Sequence, residues 1–182
     1  LVVGIASYPK ASPLPGTVLN DARDIANLLK EPEFCGYPID QVEILLDAEA
    51  TNNRIRDGVI RLAEHCGPDD TAVFFFSGHG GKVDTGSVVG TYLIPFDCEP
   101  SRLKETAIEC AELTSLLKAI GAGLLVILLD ACHSAGAGEL KGASMAGVAK
   151  AGLDQDDYDR LLAGSGRVIM SSSRVDEVSL VL

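Results

Sequence analysis

Two short, strongly apolar runs constrain this chain more than any other feature. Ala72-Val73-Phe74-Phe75-Phe76 leads into Ser77-Gly78-His79-Gly80-Gly81, and Leu124-Leu125-Val126-Ile127-Leu128-Leu129 leads into Asp130-Ala131-Cys132-His133-Ser134. Runs of this length, bounded by glycine, read as strands buried on both faces, which is the pattern of a parallel sheet. Open α/β sheets bind ligands at the carboxyl ends of their strands. A histidine and a cysteine that each follow such a strand therefore belong to one edge and can share a site.

The rest of the chain alternates in the same way. Residues 1–6 read as a strand. Val18, Ala22, Ile25 and Leu29 recur at helical spacing over residues 18–30. Residues 42–46 read as a strand, and Thr51 can cap a helix that presents Ile55, Val59, Leu62, Ala63 and Cys66 on one face. Leu113, Leu116, Leu117 and Ile120 mark a further helix that Gly121 can end, residues 154–163 fit a short helix, and residues 168–171 a fifth strand. This order predicts an α/β fold with a mostly parallel central sheet and helices on both faces. Residues 7–16, 78–91 and 133–153 read as loops, and the last two follow His79 and Cys132 directly. Loops at that edge shape substrate sites.

A length of 182 residues suits one domain with a substantial core. The chain opens on Leu1-Val2-Val3 and closes on an apolar stretch, Val178 to Leu182, so we read it as part of a longer polypeptide. No apolar run reaches the roughly 18–20 residues that span a bilayer, and no signal-peptide pattern is present, so no membrane partner is expected. The net charge of −11 disfavours a nucleic-acid partner, since the chain repels phosphate backbones. The five cysteines are irregularly spaced, with no CxxC pair, which fits reduced thiols in a cytoplasmic setting. Four of them read as structural residues.

Cys132 and His79 fit nucleophilic catalysis. The imidazole can take the thiol proton and later return it to a leaving amine. Acyl transfer also needs donors aimed at the developing oxyanion, and the amides of Gly80 and Cys132 are candidates, because glycine lets substrate approach the backbone closely. Zinc is the competing chemistry, with Cys132, His133 and His79 as ligands. Adjacent Cys-His is poor ligand spacing, so no metal site is expected. His65, at the end of a helix, reads as a surface residue. Neither GxGxxG nor GxxxxGK[ST] follows the first strand, which removes the phosphate-binding reading.

Ser77-Gly78-His79-Gly80 and Asp130-Ala131-Cys132-His133-Ser134 resemble the two active-site motifs of the caspase-like cysteine peptidases (clan CD, peptidase C14). The 53-residue separation of His79 and Cys132 suits that family. The Gln-Ala-Cys signature of true caspases is absent, and Asp-Ala-Cys-His-Ser instead resembles the metacaspase branch and its prokaryotic members. Asn20-Asp21-Ala22 is a third match. The resemblance implies a three-layer caspase-like sandwich over residues 1–182 that lacks its last strand and helix, so the remaining part of its own polypeptide would be a partner. It implies a peptide-bond hydrolase with Cys132 as nucleophile and His79 as acid/base. It also implies a protein substrate with Arg or Lys at P1, bound by acidic S1 residues at Asp21 and Asp130. In a strand, residues i and i+2 point the same way, so Asp130 and Cys132 are expected to share a side.

The resemblance also allows a processed polypeptide, with Lys141, Lys150, Arg160 and Arg167 as candidate self-cleavage points. No cofactor is required. Calcium activation, common in metacaspases, is in doubt, because Ile108-Glu109-Cys110 stands where many members carry acidic pairs and Glu139 where an aspartate is usual. Asp97 and Glu99 are the remaining candidates for a hard cation. A catalytically silent caspase-like scaffold that binds a partner is the alternative reading, and a non-peptidase hydrolase on the same sheet is a third.

Overall fold

In chain order the strands are β1 (Val2–Gly4), β2 (Ile44–Leu46), β3 (Thr71–Val83), β4 (Gly90–Leu93), β5 (Ile108–Glu109), β6 (Leu124–His133), β7 (Val148–Ala149) and β8 (Arg167–Ser171). The helices are α1 (Thr17–Lys30), α2 (Asn52–His65), α3 (Leu103–Thr106), α4 (Cys110–Lys118) and α5 (Gln155–Leu162). The computed structural model describes residues 1–83, 89–133, 148–149 and 155–172. Among these residues no helix is long and apolar enough to cross a membrane.

Five parallel strands form the body of the sheet in the order β2-β1-β3-β6-β8. Right-handed crossovers then decide which face each helix covers. The chain steps outward from β1 to β2 through α1, then reverses past β1 to β3 through α2. The reversal puts α1 and α2 on opposite faces. α4 and α5 lead onward in the second direction, to β6 and β8, and so join α2. The core follows this division. Phe74, Phe76, Leu125, Ile127 and Leu129 pack with Ile55 and Val59 of α2, Leu113 and Leu117 of α4, and Leu161 of α5. Val2 and Phe75 point the other way and pack with Ala22, Ala26 and Leu29 of α1. The reversal of direction falls between β1 and β3, and the crevice at such a switch point is where open α/β sheets place their sites.

Local signals account for the helix limits. α1 buries Val18, Ala22, Ala26 and Leu29 on one face and stops before Pro32, whose ring disfavours helix at the preceding residue. The N-terminus of α2 is capped twice: Thr51 Oγ1 accepts from the N–H of Arg54 at 3.4 Å, and Asp97 Oδ1 accepts from the N–H of Asn52 at 2.8 Å. At the C-terminus of α4, Arg167 donates to the carbonyls of Leu117 and Lys118. Arg167 is thereby half-buried beside a helix end rather than carried on a loop. Arg160 lies within α5, while Lys141 and Lys150 fall outside the described residues.

One expectation is corrected. Residues 78–91 read as a loop, but β3 continues through Val83 and β4 opens at Gly90. β3 outlasts its parallel neighbours, and its excess length pairs antiparallel with β4, from Gly80↔Leu93 to Val83↔Gly90. A second small core of Val83, Tyr92, Ile94, Cys98, Leu103 and Ala107 forms beneath this extension. Gly80 serves close approach of β3 to β6, since a Cβ there would meet the Ala131 oxygen. In the 133–153 stretch, residues 148–149 form β7 and pair with β3; residues 134–147 and 150–153 lie outside the described residues.

Phe74 is fully buried at the centre of β3, opposite Ile127 in the register. Phe74→Ala should cost about 3–5 kcal/mol through lost burial and a residual cavity. Urea denaturation would read this as a lower midpoint at unchanged slope.

Candidate active site

Parallel pairing of β3 with β6 runs in step from Thr71↔Leu124 to Ser77↔Asp130 and ends with His79 opposite both Cys132 and His133. The double pairing marks a shift of register at the end of the two strands. Hydrogen-bonded strands lie about 4.8 Å apart, so the backbones of His79 and Cys132 are immediate neighbours. For Cys132 and His133 the described part is the backbone.

His79 is 2% exposed, so its polar atoms need protein partners. The loop between β1 and α1 supplies them. The backbone N–H of His79 donates to Tyr8 Oη at 2.8 Å. The Tyr8 ring lies against the imidazole with centroids 4.6 Å apart and planes tilted by 43°. Nε2 stands 2.7 Å from the carbonyl oxygen of Ser12. A carbonyl only accepts, so Nε2 carries a proton in this contact. In the neutral ring Nδ1 is then the basic nitrogen. Burial holds the Tyr8 phenol well above its ordinary range, with the nearby Asp47 and Cys98 adding to the effect and the His79 N–H opposing it. Tyr8 therefore stays a neutral hydroxyl.

The glycines around His79 have steric reasons. A Cβ on Gly78 would sit 2.6 Å from Tyr8 Oη, and one on Gly80 would sit 2.5 Å from the backbone oxygen of Ala131. The direction of the Gly80 amide follows from the register. Ile94 N–H donates to the carbonyl of His79, so Gly80↔Leu93 is a non-hydrogen-bonded antiparallel pair. The N–H of Gly80 thus points away from β4, toward the side where β6 and Cys132 lie.

Asp130 is half-buried on the same face of β6 as Leu128, the α1 side of the sheet, and its Oδ2 accepts from Ser77 Oγ at 3.2 Å. Asp21 is exposed on the second turn of α1. Its neighbour Ala22 packs on Gly4, the last residue of β1, where a Cβ would meet Ala22 Cβ at 2.6 Å. Both carboxylates therefore belong to the α1 side of the carboxyl edge. Arg23 is exposed and bonds Asn20. Asp97 and Glu99 have other occupations: Asp97 caps α2 and Glu99 pairs with Lys10. Among the described residues no group of three or more His, Cys, Asp or Glu is arranged to hold a metal ion. His65 is exposed at the end of α2, with Nδ1 2.8 Å from the carbonyl of Arg61.

Sequence reasoning missed Tyr8 and Ser12. Ser12 acts through a backbone carbonyl, which every residue type possesses, so nothing in its identity marks it. Tyr8 carried a weak signal, a lone aromatic directly after a strand. Cys98 and Cys110 are buried, Cys66 is intermediate and Cys35 exposed, all four unbridged. Burial pushes the Cys98 thiol up to about 11, and burial beside Asp70 also raises Cys66.

The architecture and the strand-end pair define a class: an α/β sandwich that brings a buried histidine beside a cysteine at the carboxyl edge of its sheet. The caspase domain family model (peptidase C14) matches residues 1–180, and the chain belongs to this family of cysteine peptidases. It is similar to metacaspase-1 of Debaryomyces hansenii, 31% identical over 146 residues, covering 74% of this chain and 32% of that protein. It is 27% identical to metacaspase-1 of Candida glabrata over 148 residues, 74% of this chain and 36% of the other. Metacaspase-1 of Meyerozyma guilliermondii is 37% identical over 87 residues, 44% of this chain and 20% of the other. The matches thus span a third or so of these relatives at most. A crystal structure of a protein from Geobacter sulfurreducens superposes with a TM-score of 0.58 at 25% identity, over 73% of this chain and 49% of that one.

With its thiol raised to about 11, Cys98 is about 0.1% thiolate at pH 8. In the native chain a maleimide at pH 8 should label exposed Cys35 well before Cys98. Peptide mass spectrometry reads both; equal labelling of the two thiols would show that Cys98 is not shielded.

Proposed function

We propose that this chain is a cysteine endopeptidase that hydrolyses protein substrates after Arg or Lys, with Cys132 as nucleophile and His79 as general base and acid. The observation that carries this reading is the placement of His79 opposite Cys132 across β3 and β6, with Nε2 held by the Ser12 carbonyl.

The chemistry rests on the atoms available. Nδ1 accepts the thiol proton, and the thiolate attacks the carbonyl carbon of the scissile bond. A C–S bond forms and the carbonyl oxygen takes negative charge. The amides of Gly80 and Cys132 are the donors assigned to it. As the oxyanion collapses the C–N bond breaks, and the imidazolium returns its proton to the leaving amine. Water then loses a proton to His79 and attacks the thioester, which releases the acid and restores the thiol. Throughout, the Ser12 carbonyl favours the imidazolium by accepting from Nε2–H.

Selectivity is assigned to Asp21 and Asp130. Both lie on the α1 side of the carboxyl edge, and a carboxylate pair suits a guanidinium, which donates bidentately. Ser77 Oγ occupies one lone pair of Asp130 and steadies the side chain.

Cys132→Ala should lower kcat on Arg- and Lys-peptides by about 10⁴-fold or more. Retained cleavage would remove Cys132 from the mechanism. Asp130→Asn should cost the Arg-peptide about 1.5–3 kcal/mol in kcat/KM, since one charged hydrogen bond is lost. Preference of the native chain for Asp-peptides would overturn the S1 assignment. Failure of a cysteine-directed Arg-peptidyl probe to label the full-length protein under several activating conditions would favour a partner-binding scaffold instead.

A further inference from the structure

Asp47 follows β2 directly and is the one non-glycine residue among those described with a positive φ, at 44°. Side chains rarely tolerate this left-handed backbone, although Asp and Asn do so more often than most. Strain of this kind persists where the surroundings demand it. Here the demand is visible. Asp47 Oδ1 accepts from the successive backbone N–H groups of Ala6 and Ser7, both at 2.8 Å. The loop that begins there closes on itself, as Leu14 N–H donates to the Ala6 carbonyl at 2.8 Å. Within the closed loop lie Tyr8, whose oxygen accepts from the His79 N–H, and Ser12, whose carbonyl accepts from Nε2–H. From the same loop, Lys10 pairs with Glu99.

We propose that Asp47 is a positioning residue for His79: its carboxylate clamps the start of the β1–α1 loop and so holds the Tyr8 hydroxyl and the Ser12 carbonyl where they fix the orientation and tautomer of the imidazole. The kinetic consequence rests on the proposed peptidase activity, whereas the structural consequence does not. The Asp47 carboxylate bonds the loop backbone at Ala6 and Ser7, so it acts on His79 through the loop.

Two substitutions isolate the clamp in the full chain. Asp47→Gly suits the left-handed backbone but removes the acceptor. Asp47→Asn keeps an oxygen at the same place and tolerates the same φ. With three histidines in the chain, ¹⁵N-histidine NMR can resolve the His79 ring. The native chain and Asp47→Asn should show a single Nε2–H tautomer with a protected proton. Asp47→Gly should show mixed tautomers and faster exchange, with kcat lowered about 10²-fold and KM within about twofold. An unchanged His79 signal in Asp47→Gly overturns the inference whether or not the chain cleaves peptides, and so does an Asp47→Asn chain as impaired as Asp47→Gly. A native chain with the protected signal and no cleavage of any peptide overturns the peptidase reading alone. If Asp47→Gly does not fold, Tyr8→Phe decides, because it keeps the ring but drops the oxygen on the His79 N–H; an unchanged signal there overturns the inference.

Discussion

Parallel pairing of β3 with β6 is the constraint on which the rest depends. No tight turn sets the register of two parallel strands, so side-chain alternation must. Phe74 and Phe76 point with Ile127 and Leu129 into the core under α2, α4 and α5, while Phe75 turns toward α1. A slip of one residue would exchange the faces of every side chain in the strand, placing Asp130 in the apolar core and an aliphatic residue at the edge. The same slip would move Cys132 out of line with His79. Burial of aliphatic and aromatic side chains thus does more than stabilise the sheet. It sets the relative position of two residues that are 53 apart in sequence.

A buried imidazole at the end of that strand imposes a second demand. His79 is buried, and a polar atom left unpaired there would cost about 1–3 kcal/mol. The β1–α1 loop meets this demand with a backbone carbonyl and a neutral phenol. Topology places it there: the chain reverses direction between β1 and β3, so the loop leaving β1 overhangs the end of β3 without crossing another connection. Gly78 and Gly80 complete the fit by leaving room for Tyr8 Oη and for the Ala131 oxygen. Bulk at either place would separate the loop from the strand, or the two strands from each other.

Much of this was legible beforehand. Val18, Ala22 and Leu29 marked the buried face of α1, Thr51 marked the start of α2, and the two apolar runs marked the central strands. Their endings pointed to the site. The antiparallel extension was not legible, because β3 runs on through Gly80, Gly81 and Lys82 only where β4 waits to pair with it, and that partner is supplied by tertiary contact. Nothing in the sequence around Asp47 marks its role. Its carboxylate matters through the amides of Ala6 and Ser7, some forty positions away.

Apolar periodicity in the chain is enough to determine the parallel α/β order and to bring a histidine and a cysteine to one sheet edge, because burial depends on residue type and spacing. What only the folded structure decided is how the histidine is held. Ser12 contributes a peptide carbonyl, Tyr8 an oxygen beneath a strand, and Asp47 a carboxylate to two backbone amides. Such contacts depend on where the backbone runs in space, and residue identity encodes that path only through the whole fold.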